Sequence, residues 1–275
     1  MNVTSVRPAG LLGKSVYWFA YYDGFGAADH GFRMLSEATV DILIPLEGRT
    51  VVAANQSNLK VVAAAEPLLI GPQKSFNLYD TSMCSRAFGI VFAPGGAARF
   101  IGPQAGRLTN CILPARDVLG PRLRILHDRL REESDPGVMF QIAEAYLRTH
   151  YTPDLKYAAE IDYAISAIRD GKTAHTSLVD FAERTIGFSH KHFVELFSRY
   201  VGLTPKRYQQ ISHFNSVLRR CRTSPHLTWR ELSTLFGYAD PSHLSKDFHR
   251  FAGMTPSDYL SKDVSHRQVL SEAVG

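Results

Sequence analysis

In the C-terminal third of the chain, hydroxyl, imidazole and cationic side chains recur at helical spacing beside apolar ones. In one run Phe193, Leu196 and Phe197 share a face, and His190, Lys191, Val194, Glu195 and Ser198 lie off it. In the other, Leu244 and Phe248 face inward while Ser242, His243, Ser245, Lys246 and His249 point outward. Hydroxyls, imidazoles and ammonium groups set out this way suit hydrogen bonding to an external polar partner. Lys206 and Arg207 follow the first run, and Arg199 and Arg250 fall near the ends of the two runs. Both arginines suit phosphate contact or local salt bridges, which position a partner without specifying it.

The two runs belong to a longer repeat. Residues 193–208 and 244–259 match at Phe197/Phe248, Arg199/Arg250, Gly202/Gly253, Thr204-Pro205/Thr255-Pro256 and Tyr208/Tyr259, always at the same offset. The glycine can take the left-handed conformation that ends a helix. Thr-Pro then restarts one, with Thr as N-cap and Pro at the first helical position. A short helix is predicted ahead of each copy, over Ser177–Thr185 and Thr228–Phe236, followed by Gly187-Phe188 and Gly237-Tyr238. Helix, tight glycine turn and second helix make a helix-turn-helix. The second helices are predicted over His190–Tyr200, with Ser189 as N-cap, and from Asp240 or Pro241. The N-terminal residues of such helices reach base edges in the major groove. A helix from Pro205 to about Arg222 joins the units and spans about 27 Å, of the order of one duplex turn of ~34 Å.

Over roughly residues 160–265 these motifs resemble the DNA-binding domain of AraC/XylS-family transcription regulators, the stretch Gly237–Tyr259 most specifically. The resemblance implies a DNA-binding regulator, an activator rather than a repressor, with promoter DNA and RNA polymerase as partners. It places Ser242 and Lys246 at base-contacting positions. Where many members carry an arginine for guanine, this chain has Glu195, which can accept from cytosine N4 but repels phosphate. The stretch before Gly187 is also one residue longer than usual.

Upstream the pattern turns to β. Val16–Tyr22, Val40–Ile44 (closed by Pro45 and Gly48), Thr50–Ala53, Lys60–Ala65, Pro67–Ile70 and Arg86–Phe92 read as short strands of a small barrel or sandwich. Residues 1–14 read as an unstructured lead-in. Val40–Ile44, Gly71-Pro72-Gln73 and Pro94–Ala97 resemble the cupin-type sensor domains that precede many AraC-family DNA-binding domains. That resemblance implies a small-molecule effector. Trp18, Tyr22, Phe76 and Tyr79 would line its pocket, or equally fill the barrel. One histidine, His30, lies between residues 15 and 112, too few ligands for a metallocupin, and no cofactor is implied. Pro94-Gly95-Gly96 before Ala97–Ile101 reads as a tight turn and cap; it lacks the Lys-Ser/Thr of a phosphate loop.

Leu119, Leu123, Leu126 and Leu130 form a stripe on a helical stretch reaching about Thr149, with a restart at Asp135-Pro136. The resemblance assigns such helices to homodimer contact; packing back on the barrel fits the stripe equally. The expected architecture is α+β: a β-rich sensor domain over 1–112, a helical dimerisation or linker region over 113–152, an all-α DNA-binding domain over 153–265 and a tail over 266–275, with a hinge over Thr149–Asp154.

Composition supports a soluble cytoplasmic protein: 45% hydrophobic and 21% charged residues, no apolar run long enough for a bilayer and no secretion signal. The net charge of +5 is unevenly placed, with eight Lys or Arg against Glu195 alone between Arg184 and Arg222. Eight of eleven histidines lie beyond residue 160, so DNA affinity should rise as pH falls through their titration range. Cys84, Cys111 and Cys221 are too scattered for a disulfide framework or zinc site. Neither Cys84 nor Cys111 sits in an activating motif that a DNA alkyl-acceptor would need, so no enzyme is expected. The remaining alternative is an orphan regulator whose barrel serves assembly alone.

Overall fold

Short strands occupy the first third of the chain because β-branched and aromatic residues alternate there between turn formers. The computed structural model describes residues 2–24, 32–54, 61–80, 83–173 and 176–261; His30 and the tail 266–275 lie outside them. Among the described residues ten strands form two antiparallel sheets: β1 (Asn2–Val6), β2 (Val16–Asp23), β3 (Phe32–Met34), β4 (Asp41–Gly48), β5 (Thr50–Ala54), β6 (Val61–Ala64), β7 (Leu68–Ile70), β8 (Asn77–Asp80), β9 (Cys84–Phe92) and β10 (Ile112–Pro114). The larger sheet runs β1-β2-β9-β4-β7-β10 and the smaller β3-β8-β5-β6.

The lead-in is not unstructured. β1 pairs with β2 from Asn2↔Asp23 to Val6↔Phe19. Its side chains are mostly exposed, so it carries no apolar alternation and is held by its ladder of backbone hydrogen bonds. Nor does Pro45 close its strand. β4 continues to Gly48, and the register shifts just beyond Pro45, so the missing N–H falls beside a bulge.

Each face of the larger sheet has its own cover. Phe19, Tyr21, Ile42, Ile44, Phe88, Ile90 and Phe92 point outward, against α3 (Leu123–Glu132) and α4 (Pro136–His150). Leu123, Leu126 and Leu130 are buried there, so the chain's own sheet covers the leucine stripe. Any pairing of two copies has to use another surface. Asp135 caps α4 at Gly137 N, 2.7 Å away, with Pro136 at the first helical position. The opposite face turns toward the smaller sheet, where Leu68, Ile70, Ile112 and Tyr79 cluster with Met34 and Leu43.

The remaining helices are α1 (Ala98–Ile101) and α2 (Arg116–Leu119) beside the β domain, then α5 (Ala158–Arg169), α6 (Leu178–Asp180), α7 (His190–Val201), α8 (Pro205–Thr223), α9 (Trp229–Leu235), α10 (Pro241–Ala252) and α11 (Pro256–Ser261). The helical core takes in Leu35, Ala38, Phe76 and Ala98 from the β domain, so one apolar cluster spans both halves. The expected hinge is pinned: Thr152 N donates to Arg99 O at 2.8 Å, and the Arg99 guanidinium donates to Pro153 O and pairs with Asp162. Gly95 packs on Ile165, so the Pro-Gly-Gly turn is a contact between the halves.

Candidate nucleic-acid interface

Both helix-turn-helix units are set by local capping chemistry. Ser189 caps α7 at His192 N, Asp240 caps α10 at Ser242 N and His243 N, and Thr204 caps α8 at Arg207 N. Thr228 and Glu231 form a reciprocal capping box on α9. The long connector α8, at about 1.5 Å per residue, spans about 28 Å.

The extra residue in the first unit is absorbed by a π-helical turn over Phe181–Ile186. Ten positions separate the N-cap Ser177 from Gly187, against nine from Thr228 to Gly237. The turn that follows is one residue shorter in the first unit, so cap-to-cap spacing into α7 and α10 is the same. Glu195 therefore sits in register with Lys246 of the second unit.

Of the sequence-nominated residues, His190, Lys191, Glu195, Arg199, Lys206, Ser242, His243, Lys246, His249 and Arg250 are exposed, and Val194, Ser198, Arg207 and Ser245 are half-buried. The C-terminal end of α7 turns toward the β domain: Ser198 O lies against Gly106, and Arg199 Cα is close by. Among the described residues, none of Lys191, Arg199, Lys206, Lys246 and Arg250 enters an ion pair. Their charge is left for an external anion.

One cationic pairing escaped the sequence. Arg207, at the start of α8, and Arg250, near the end of α10, flank the Phe251 ring at 5.8 and 5.3 Å. Burial chiefly, with the Arg250 charge behind it, lowers the Arg207 pKa from its ordinary value. Two guanidiniums held on one ring suit a phosphate, since the nearby Asp247 charge offsets theirs only in part. Nearby, Tyr238 Oη donates to Asp247 Oδ2 at 2.9 Å, tying the second turn to α10.

Both helix-ending glycines of the repeat dock on one loop of the β domain. Gly202 has φ +87°, and a methyl added there would meet Pro72 Cγ at 2.5 Å and Ala105 O at 2.9 Å. Thr109 Oγ1 donates to Gly202 O. Gly253 has φ +62°, and a methyl there would fall on the Phe76 ring. The loop is braced by Gly71 N to Cys111 O, Asn110 N to Pro72 O (both 2.9 Å) and Ser36 Oγ to Gln73 O (2.5 Å). Asn215 Nδ2 of α8 donates to Ser36 O at 3.0 Å.

The four nominated pocket residues divide. Trp18 and Tyr22 share the inward face of β2, and Tyr22 lies over Gly89. Tyr79 lies near Tyr22 and Asp41, with its hydroxyl pushed well above the ordinary phenol range by burial. Phe76 instead faces the helical half. On β8, Asn77 and Tyr79 thus turn inward while Leu78 joins Phe76 against the helical core. Asp41 and Asn77 were missed; the available signal was a lone acid heading the apolar run Val40–Ile44.

Burial raises the carboxyls of Glu37 and Asp41 to about 7; their mutual repulsion adds to this at Glu37, while Arg219 and Arg222 oppose it. From about pH 4 to 7 the folded chain therefore keeps protons that the unfolded chain has released, and these groups lower stability as pH rises through that window. Thermal unfolding should give a lower Tm at pH 8 than at pH 5, with the fall reduced in Asp41→Asn. A fall of the same size in that variant would contradict the assignment. Burial also pushes the Cys84 and Cys221 thiols up to about 11, so neither is activated. No metal-binding group of His, Cys, Asp and Glu occurs among the described residues, and no described helix is long and apolar enough to cross a membrane.

The chain matches two family models: a helix-turn-helix domain over residues 183–262 and a domain of unknown function, DUF6597, over residues 4–114. No curated protein matches it. Among solved structures it is similar to ToxT of Vibrio cholerae. An apo variant aligns at 11% identity and TM-score 0.48 over 88% of this chain and 96% of that one. A wild-type form bound to an unsaturated fatty acid aligns at 13% identity and 0.46 over 90% and 95%. The matched helix-turn-helix domain is of the AraC type; with its capped, duplicated units it marks this chain as a DNA-binding transcription regulator, and the match over residues 4–114 gives it an N-terminal DUF6597 domain.

Proposed function

We propose that the chain reads two successive major grooves of promoter DNA and that a small molecule in the β domain adjusts how the two readers are presented. The observation that carries this reading is the docking of Gly202 and Gly253, equivalent positions of the repeat, on the single loop from Gly71 to Phe76. A change in that loop bears on both units at once. In the second unit Ser242 and Lys246 contact bases, with His243, Ser245 and His249 beside them. In the first, His190, Val194 and Glu195 face the groove, with Lys191 on a phosphate at its edge, and Glu195 favours a cytosine where an arginine would favour guanine. Arg199, Lys206, Arg207 and Arg250 hold phosphates. Activation through RNA polymerase and pairing with a second copy complete the reading by family resemblance.

Footprinting on the chain's own upstream region, with and without metabolite extracts, tests it. Lys246→Ala should weaken cognate binding by about ten- to a hundredfold and relax base preference at one position. Lys191→Ala should weaken all sequences alike and lower the salt slope by about one. Footprints unchanged by both substitutions would refute the assignment.

A further inference from the structure

The interior between the two sheets holds polar groups that the helix-turn-helix chemistry does not use. Asp41 Oδ1 and Asn77 Oδ1 are shielded from solvent and meet no hydrogen-bond donor among the described residues. Asn77 is only 2% exposed. The two sit on opposite sheets, Asp41 on β4 and Asn77 on β8, and Tyr79 lies between them: it hydrogen-bonds the Asn77 side chain and feels the Asp41 charge. Asp41 shares the inward face of β4 with Leu43, as Asn77 does that of β8 with Tyr79. Trp18 and Tyr22 share the corresponding face of β2. Among the described side chains on these inward faces there is no Lys or Arg.

Two sealed acceptors without donors are costly unless something completes them. The missing partner must bring N–H or O–H groups. A carboxylate near Tyr79 and Tyr22, with Trp18 in the same cross-strand row of the sheet, favours a cation over a neutral donor, because aromatic rings and the acid both attract positive charge. We propose that this interior binds a small organic ammonium ion, its N–H groups on Asp41 Oδ1 and Asn77 Oδ1 and its carbon body against Trp18, Tyr22 and Tyr79. The inference rests on the reading of the β domain as a sensor and adds the chemical class of what it senses. A carboxylate ligand is disfavoured here, since it would meet Asp41 with like charge. A bound cation would also offset the burial that lifts the Asp41 carboxyl.

The test uses the full-length protein with phenethylamine, phenethyl alcohol and phenylacetate, three probes of similar body and different head group. Calorimetric titration and thermal unfolding should show saturable binding of phenethylamine with a raised Tm, weaker binding of the alcohol and none of phenylacetate. Asp41→Asn should weaken amine binding by about ten- to a hundredfold, and Asn77→Ala by about fivefold. Circular dichroism and DNA retardation at low salt, on the same samples, check that both variants fold. Preference for phenylacetate, absence of amine binding by the wild-type chain, or equal amine affinity in Asp41→Asn would each overturn the proposal. DNA retarded without amine binding removes this inference alone; amine binding by a chain that retards no duplex removes the regulator reading instead.

Discussion

Raising salt from 50 to 200 mM should weaken binding of this protein to its cognate duplex by about 10³- to 10⁴-fold. The expectation comes from counting cations. Lys191, Arg199, Lys206, Arg207, Arg220 and Arg250 lie on the helix-turn-helix units or their connector, and none is in an ion pair among the described residues. About six phosphate contacts, each releasing close to one counterion, give a log–log slope of about −5 to −6. Arg207 and Arg250 are the pair to remove first. They share the Phe251 ring, so one phosphate between them relieves their mutual repulsion. Retardation assays across the salt range measure the slope. A slope near −2 would mean that only one unit touches DNA.

Gly202→Ala should lower stability by about 3 kcal/mol, while Gly187→Ala should cost about 1 kcal/mol. Both glycines hold positive φ, +87° and +83°, so the backbone cost of adding a side chain is common to them. Their surroundings differ. Nothing lies within 4 Å of a methyl at Gly187, whereas one at Gly202 meets the Pro72 ring and the carbonyl of Ala105. A backbone carbonyl cannot step aside, so the contact between the halves must open. At about 2–4 °C per kcal/mol for a chain of this size, the Tm of Gly202→Ala should fall by roughly 6–12 °C. Equal losses at the two positions would show that the β domain does not rest on α7.

The sequence made the helical half legible because its signals are local. Ser189, Thr204, Thr228 and Asp240 each cap the helix that their position announces, since an N-cap needs only a side-chain oxygen and the next turn's N–H groups. The extra residue before Gly187 was visible as a length, but its accommodation was not, because a π turn has no residue signature of its own. The β half was less legible for the same reason in reverse. β3, β8 and β10 are three or four residues long and are defined by partners far away in sequence. Missing β8 also misplaced Phe76. The side of a sheet on which a residue falls is set by strand parity, and without the strand there is no parity to read. Trp18 and Tyr22, four apart on a strand that was recognised, came out on one face. The acceptors Asp41 and Asn77 become a pair only when the two sheets meet, which no local pattern encodes.

β8 is a single thickness of polypeptide with Asn77 and Tyr79 on its inner side and Leu78, joined by Phe76 just before the strand, toward the helices. The β domain, proposed above as the sensor, and the helical half therefore have a common wall. Under the proposed function, a molecule that tugs on the inner side chains would press the Phe76 ring against Gly253 over a path of one residue. Signalling of that kind requires no swinging domain and no melted hinge, and its range is limited only by how far one ring can travel before the second helix-turn-helix unit tilts.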